Sequence, residues 1–243
     1  MDATITATAS RRLLIALALA AVCAAAGLVA GAPPVADAVK AKVLGKTKTT
    51  PDPACPGRPS LACEAIGSVT GFQRVAAGKD NLFRARESGR LVAWSMRLAN
   101  PTGKEERFFG NFFENENFGK QPSARIAVIV REGTSRYRLK RQSPAVSLDG
   151  LHDGRTHYFT LNQPLKIRKR DVLAITVPTW AAMFRPDLRR SKNQWRASRA
   201  AGKCNANADI KEGRPQQKVG STRRYGCDYR GARLLYWGFY RPE

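Results

Sequence analysis

The residues able to do chemistry fall into a few groups. The two histidines lie in Leu151-His152-Asp153-Gly154-Arg155-Thr156-His157. Their spacing does not set both rings on one face of a strand, so a shared metal is not expected. Read singly, His157 is a half-buried strand residue and His152 a turn residue, not catalytic bases. No GxSxG elbow is present, so nucleophilic chemistry has no motif to carry it.

Carboxylates offer a second route, because glycoside hydrolysis needs only two of them. An extended Glu114-Asn115-Glu116 projects both acids to one side. They sit in RFFGNFFENENF (107–118), an acidic and aromatic patch within a basic chain. Three readings compete for it: a loop plugging Phe108, Phe109, Phe112, Phe113 and Phe118 into the core, an oxygen-ligand calcium site, and a carboxylate pair. The need to bury five phenyl rings favours the first.

Residues 179–231 carry Trp180, Trp195, Tyr225 and Tyr229 among many cations. From Arg185 to Arg233 there are fourteen Lys or Arg against four Asp or Glu, a net of +10. That is too long for an ordinary connection. Aromatic faces stack on sugar rings or bases, and guanidinium forks grip phosphate or carboxylate. The contact surface expected here uses Trp180, Trp195 and Tyr225 for stacking, and Arg185, Arg189, Arg190, Arg196, Arg223 and Arg224 for anions. The competing reading has the tryptophans anchoring the insertion to the core and the arginines simply solvated.

The cysteines speak about compartment. Residues 1–38 have the layout of a secretory signal: Arg11-Arg12, an apolar run from Leu13 to Ala30, then the small-residue sites Ala30-Gly31-Ala32 and Ala36-Asp37-Ala38. Cleavage after Ala38 is expected; retention as an N-terminal membrane anchor is the alternative, since the run reaches the short limit of a span. Removing the leader takes Cys23 with it and leaves Cys55, Cys63, Cys204 and Cys227. Four cysteines in an exported chain read as bridges, and the pairing of sequence neighbours, Cys55 with Cys63 and Cys204 with Cys227, is favoured. No CxxC supports a zinc site.

Of 243 residues, 43% are hydrophobic and 25% charged, a globular balance, yet 42 Lys and Arg face 19 Asp and Glu for a net of +23. Such a charge draws the protein toward polyanions: nucleic acid, anionic lipid, or phosphate- and uronate-bearing wall polymers. A solvated basic surface is the plain alternative, since Arg outnumbers Lys 28 to 14 and Ala is abundant, as in GC-rich genomes. No nucleic-acid motif accompanies the charge.

The elements that must position these residues are strands. Residues 39–54 have no apolar period and read as a flexible basic linker. Beyond them, residues 55–243 form one domain with two-residue alternation: Val92/Trp94/Met96/Leu98, Ile126/Val128/Val130, Tyr137/Leu139, His157/Phe159/Leu161 with Leu165/Ile167 across Pro164, and Leu235/Trp237/Phe239. Asp171–Val177 is almost continuously apolar, as in a strand covered on both faces. Shorter candidates are Ile66–Gln73 and Asn81–Arg86. About eight strands and little amphipathic helix predict an all-β, antiparallel β-sandwich or jelly roll. A long disulfide-tied loop insertion precedes the last strand, which pairs back with an early one.

The stretches GRLVAW (89–94), ARIAVIV (124–130) and LKIRKRDVLAITVP (165–178) resemble jelly-roll accessory domains of the galactose-binding-like type. In those domains a basic-x-Gly-Asp turn leads into a buried strand, and Arg170 stands here in place of the Gly. The whole chain is also similar to uncharacterised exported proteins of high-GC Gram-positive bacteria. The resemblance spans roughly residues 60–180 and the last strand, and implies a fold and glycan or surface binding without supplying site residues. The expected protein is therefore non-enzymatic, without metal or cofactor. It is secreted or envelope-associated, and its partner is a polyanionic or sugar-bearing envelope component. A glycan hydrolase or lyase using Glu114 and Glu116, or a purely structural envelope protein, are the alternatives.

Overall fold

The computed structural model describes residues 41–55, 62–204 and 216–243. The signal segment read at 1–38 lies outside them. In chain order the elements are β1 (Lys42–Leu44), β2 (Ile66–Ala76), β3 (Lys79–Asp80), β4 (Gly89–Arg97) and α1 (Gly103–Phe112). Next come β5 (Ser123–Arg131), β6 (Arg136–Gln142), β7 (Val146–Ser147), β8 (Thr156–Ile167) and β9 (Val172–Ala181). The last are β10 (Phe184–Arg185), β11 (Gln194–Ala197), β12 (Thr222–Arg224), β13 (Cys227–Arg230), β14 (Arg233–Leu234) and β15 (Tyr236–Pro242).

Antiparallel pairing arranges them as a sandwich. The smaller sheet runs β1-β15-β4-β8, and the larger β12-β6-β5-β9-β2-β11-β13, with β3 on β2 and β7 on β5. Val69, Ile126, Val128, Leu173, Ile175 and Val177 of the large sheet share one buried cluster with Leu44, Leu91, Trp94, Met96, Tyr236 and Tyr240 of the small one. At Gly238 the sheets come so close that a Cβ would stand 2.9 Å from a side-chain atom of Leu173 in the facing sheet. The last strand does pair back, with β1 and β4.

β9 is covered on both faces. Its odd positions face the sandwich interior, while Ala174 joins an outer cluster with Phe72, Ala127, Ile129, Tyr137, Leu139 and Tyr225. The insertion before the last strand supplies the cover. Tyr225 packs its ring 5.0 Å from that of Tyr137 and donates its hydroxyl to Gln217 Oε1 at 2.9 Å. Gln217 in turn donates to Tyr137 O at 2.8 Å, and its N–H reaches Thr70 Oγ1 at 3.1 Å. The same insertion extends the sheet at both ends, β11 joining β2 and β12 joining β6.

Both disulfides close as paired from the sequence, Cys55 with Cys63 and Cys204 with Cys227. Bridges of this kind belong to oxidising compartments. Among the described residues, no helix is long and apolar enough to cross a membrane.

Four local expectations change. Residues 39–54 do not form a free linker in their described part, because β1 pairs with β15 and buries Leu44, while Gly45 N–H donates to Leu82 O at 2.8 Å. Asn81–Arg86 is no strand; it is a turn whose Arg84 makes a single bridge to Val172. A bulge between Leu91 and Ala93 resets the alternation of β4, so Leu91 rather than Val92 is buried with Trp94 and Met96. On the closing strand, Tyr236 and Tyr240 enter the core. Trp237 instead lies under the Lys46 ammonium at 5.7 Å.

The aromatic patch is partly a helix. Thr102-x-x-Glu105 forms a capping box: Thr102 N–H donates to Glu105 Oε2 at 2.6 Å and Glu105 N–H to Thr102 Oγ1 at 3.4 Å. Phe109 and Phe113 then bury against Trp180, while Phe108 is 60% exposed. Pro164 is accommodated inside β8 because that strand is the edge of its sheet.

Candidate functional site

A cleft of about 340 Å³ opens at one end of the outer face of the large sheet. Its floor holds Phe72, Phe83 and Tyr137, all buried, and five arginines line it: Arg74, Arg84, Arg131, Arg170 and Arg196. Asp80 is the one carboxylate among the lining residues.

Strand periodicity explains why the guanidinium groups converge. Phe72 and Arg74 stand two residues apart on β2, Ile129 and Arg131 on β5, and Arg196 on β11 is the cross-strand partner of Phe72. All therefore project to the outer face. Beyond the strand ends, Arg84 comes from the turn after β3 and Arg170 from the turn between β8 and β9. Those two turns are tied together: Arg84 Nε donates to Arg170 O at 3.4 Å, and Arg170 N–H to Ala85 O at 2.8 Å.

Three of the five side chains are aimed by one side-chain hydrogen bond each among the described residues. Arg74 Nη2 donates to Gln194 Oε1, Arg131 Nε to Gly133 O at 2.9 Å, and Arg84 as above. Arg196 differs. Its Nε is buried and has no hydrogen-bond partner among the described residues, as is also true of Nε of Arg125, Arg185, Arg199 and Arg233. An acceptor entering the cleft would instead meet the terminal nitrogens of the lining guanidinium groups. An oxyanion has the required chemistry, because guanidinium forks pair with carboxylate or phosphate through two parallel bonds.

Of the contact residues expected from the sequence, the structure brings only Arg196 to this cleft. Trp180 and Trp195 are each 2% exposed. Trp180 lies 4.7 Å from the His152 ring and donates Nε1–H to Lys120 O at 2.9 Å, while Trp195 stacks on Tyr229 at 4.4 Å. Neither ring offers solvent a stacking face, and Tyr225 is interior too. Trp195 and Tyr225 anchor the insertion, whereas Trp180 of β9 packs on Phe109 of α1 and on His152. Arg185 donates Nη1 to Asp52 O at 3.2 Å. Arg189 and Arg190 are exposed in the turn before β11, and Arg223 and Arg224 lie on β12.

The other candidates are held locally. Glu114 and Glu116 stand exposed on a surface turn, with Glu114 3.8 Å from Lys120 Nζ and Asn115 Oδ1 accepting Asn117 N–H at 2.9 Å. His157 Nε2 bonds Asp153 Oδ1 at 2.8 Å. His152 accepts Ala182 N–H at Nε2, 3.2 Å away, and burial pulls its pKa down to about 4. Among the described residues, no three His, Cys, Asp or Glu side chains gather as metal ligands.

No family model, curated protein or solved structure matches this chain.

Sequence reasoning missed Arg74, Arg84 and Arg131 because each is an ordinary arginine in its own segment. A weak signal existed for Arg170, an arginine standing at a turn position where glycine fits best.

Proposed function

We propose that this is an exported, non-enzymatic protein that binds an anionic, sugar-bearing polymer of the cell envelope or extracellular space, with the arginine cleft as its contact site. One observation carries the reading: five guanidinium groups from five separate chain segments meet over an aromatic floor, facing a single carboxylate. The net charge of +23 supports it by drawing polyanions to the surface before the cleft selects one. The leader and the two bridges support export.

Retention on purified wall glycopolymer across a salt series tests this. Arg74→Ala with Arg196→Ala is expected to weaken binding at least about tenfold, the loss of one or two charge-assisted hydrogen bonds. The control, Arg155→Ala with Arg241→Ala, removes equal charge away from the cleft and is expected to change little. Equal losses from the two pairs would reduce the interaction to unspecific charge, and no retention by the parent at low salt would end the proposal.

A further inference from the structure

Two of the residues lining the cleft, Asn81 at φ +61° and Arg170 at φ +74°, have left-handed backbones without being glycine. In that region a Cβ crowds the following carbonyl, so glycine is the usual occupant and asparagine a tolerated one. Asn81 needs no further account. Arg170 does.

The turn imposes this conformation regardless of which side chain stands at 170. Arg170 N–H donates to Ala85 O at 2.8 Å and Asp171 N–H to Arg168 O at 2.9 Å. Asp171 Oδ2 accepts Arg168 N–H at 2.9 Å and the Lys140 ammonium at 3.0 Å. None of these bonds uses the Arg170 guanidinium. Only the Arg170 backbone takes part, and glycine would preserve all of it. The guanidinium itself is exposed, lines the cleft, and has no side-chain hydrogen bond or ion pair among the described residues. Its presence therefore adds nothing to the turn and places one more cation on the wall of the cleft.

We infer that Arg170 is a ligand-contacting residue that sets which anions the cleft accepts. The inference rests on the reading of the cleft as an anion site and adds the group recognised: an oxyanion that can accept two parallel hydrogen bonds, carboxylate or phosphate. A fork of donors held on a pinned turn favours such a group over diffuse negative charge.

Calorimetric titration of the full exported chain with polygalacturonate and with polyphosphate distinguishes the two sources of that chemistry. Arg170→Gly and Arg170→Asn are expected to melt at the parent temperature or a few degrees above it, since both relieve the backbone. Both should bind the preferred polyanion about tenfold more weakly. Arg170→Lys, which keeps the charge and loses the fork, should weaken binding about threefold. If Arg196→Ala weakens binding while all three Arg170 variants bind like the parent, the cleft stands and this inference falls. Lower melting of the Gly and Asn variants would also overturn it, by giving the side chain a structural role. A parent that binds neither polyanion removes the reading beneath it.

Discussion

The ammonium of Lys140 reaches both carboxylate oxygens of Asp171, at 3.1 and 3.0 Å, with the two side chains only 13% and 3% exposed. Lys140 lies on β6 and Asp171 immediately precedes β9, so the pair joins β6, two strands away across the large sheet, to the turn that presents Arg170. Removing one partner strands a desolvated charge, whereas removing both does not. Asp171→Asn is expected to lower stability by about 3 kcal/mol. Adding Lys140→Met should recover part of that loss, because the two changes are coupled. Urea unfolding of the parent, both single variants and the double variant measures this; additive losses would show that the pair does not act as a unit.

The two bridges differ in the loop they close. Cys204 and Cys227 are 23 residues apart and Cys55 and Cys63 are 8 apart. By loop-closure entropy the longer should contribute about 3 kcal/mol and exceed the shorter by under about 1 kcal/mol. Replacing each pair with Ala in turn and following guanidinium unfolding checks the order. The Cys204/Cys227 loss should also expose the outer cluster around Tyr225, visible as a change in tyrosine fluorescence.

Acid should weaken the fold before it protonates the carboxylates. Burial lowers the His152 pKa to about 4, with His157 adding to the shift and Asp153 opposing it. Unfolding restores the ordinary value of about 6.5, so the unfolded chain binds a proton that the folded chain refuses. Stability is therefore full above pH 6.5 and falls between about 6.5 and 4, by up to about 3 kcal/mol. His152→Gln keeps an acceptor for Ala182 N–H and should flatten that part of the profile. Denaturant midpoints measured at intervals from pH 4 to pH 8 give the comparison. Asp153, whose pKa is lowered chiefly by its bond to His157, acts in the same direction but in the carboxylate range.

Trp195 separates anchoring from recognition. Its ring stacks on Tyr229, and the backbone of Gly71 on the neighbouring β2 passes so close that a Cβ there would stand 2.9 Å from the indole. Trp195→Ala is expected to cost about 3–5 kcal/mol through the cavity it leaves. Trp195→Phe, which keeps most of the packing, should bind polyanion like the parent. Strong loss of binding by a stable Trp195→Phe protein would return this ring to the contact surface.

Much of the fold was legible because burial imposes a period. Alternation along β5 and β6, and the unbroken apolar run of β9, follow from which faces must leave water, and these do not depend on the neighbours' identity. Cysteine pairing followed from proximity along the chain. The α1 helix was missed although Thr102 and Glu105 carry its start signal, because the clustered phenylalanines read as a plug rather than as a helical stripe. The alternation of β4 was misphased because a bulge adds a residue that no pattern announces.

By itself, the sequence determined that the chain forms antiparallel strands, where the longer ones such as β5, β6 and β9 run, and that cysteines staple them, since these rest on local hydrophobic patterning and chain entropy. Only the tertiary structure decided which arginines meet. Arg74 and Arg196 are 122 positions apart and Arg84 and Arg170 are 86 apart, brought together by strand register and two facing turns. It also decided that Trp180 and Trp195 are interior. An indole has the same local sequence whether it faces ligand or core, and what covers it, α1 over Trp180 and β2 beside Trp195, lies far away along the chain.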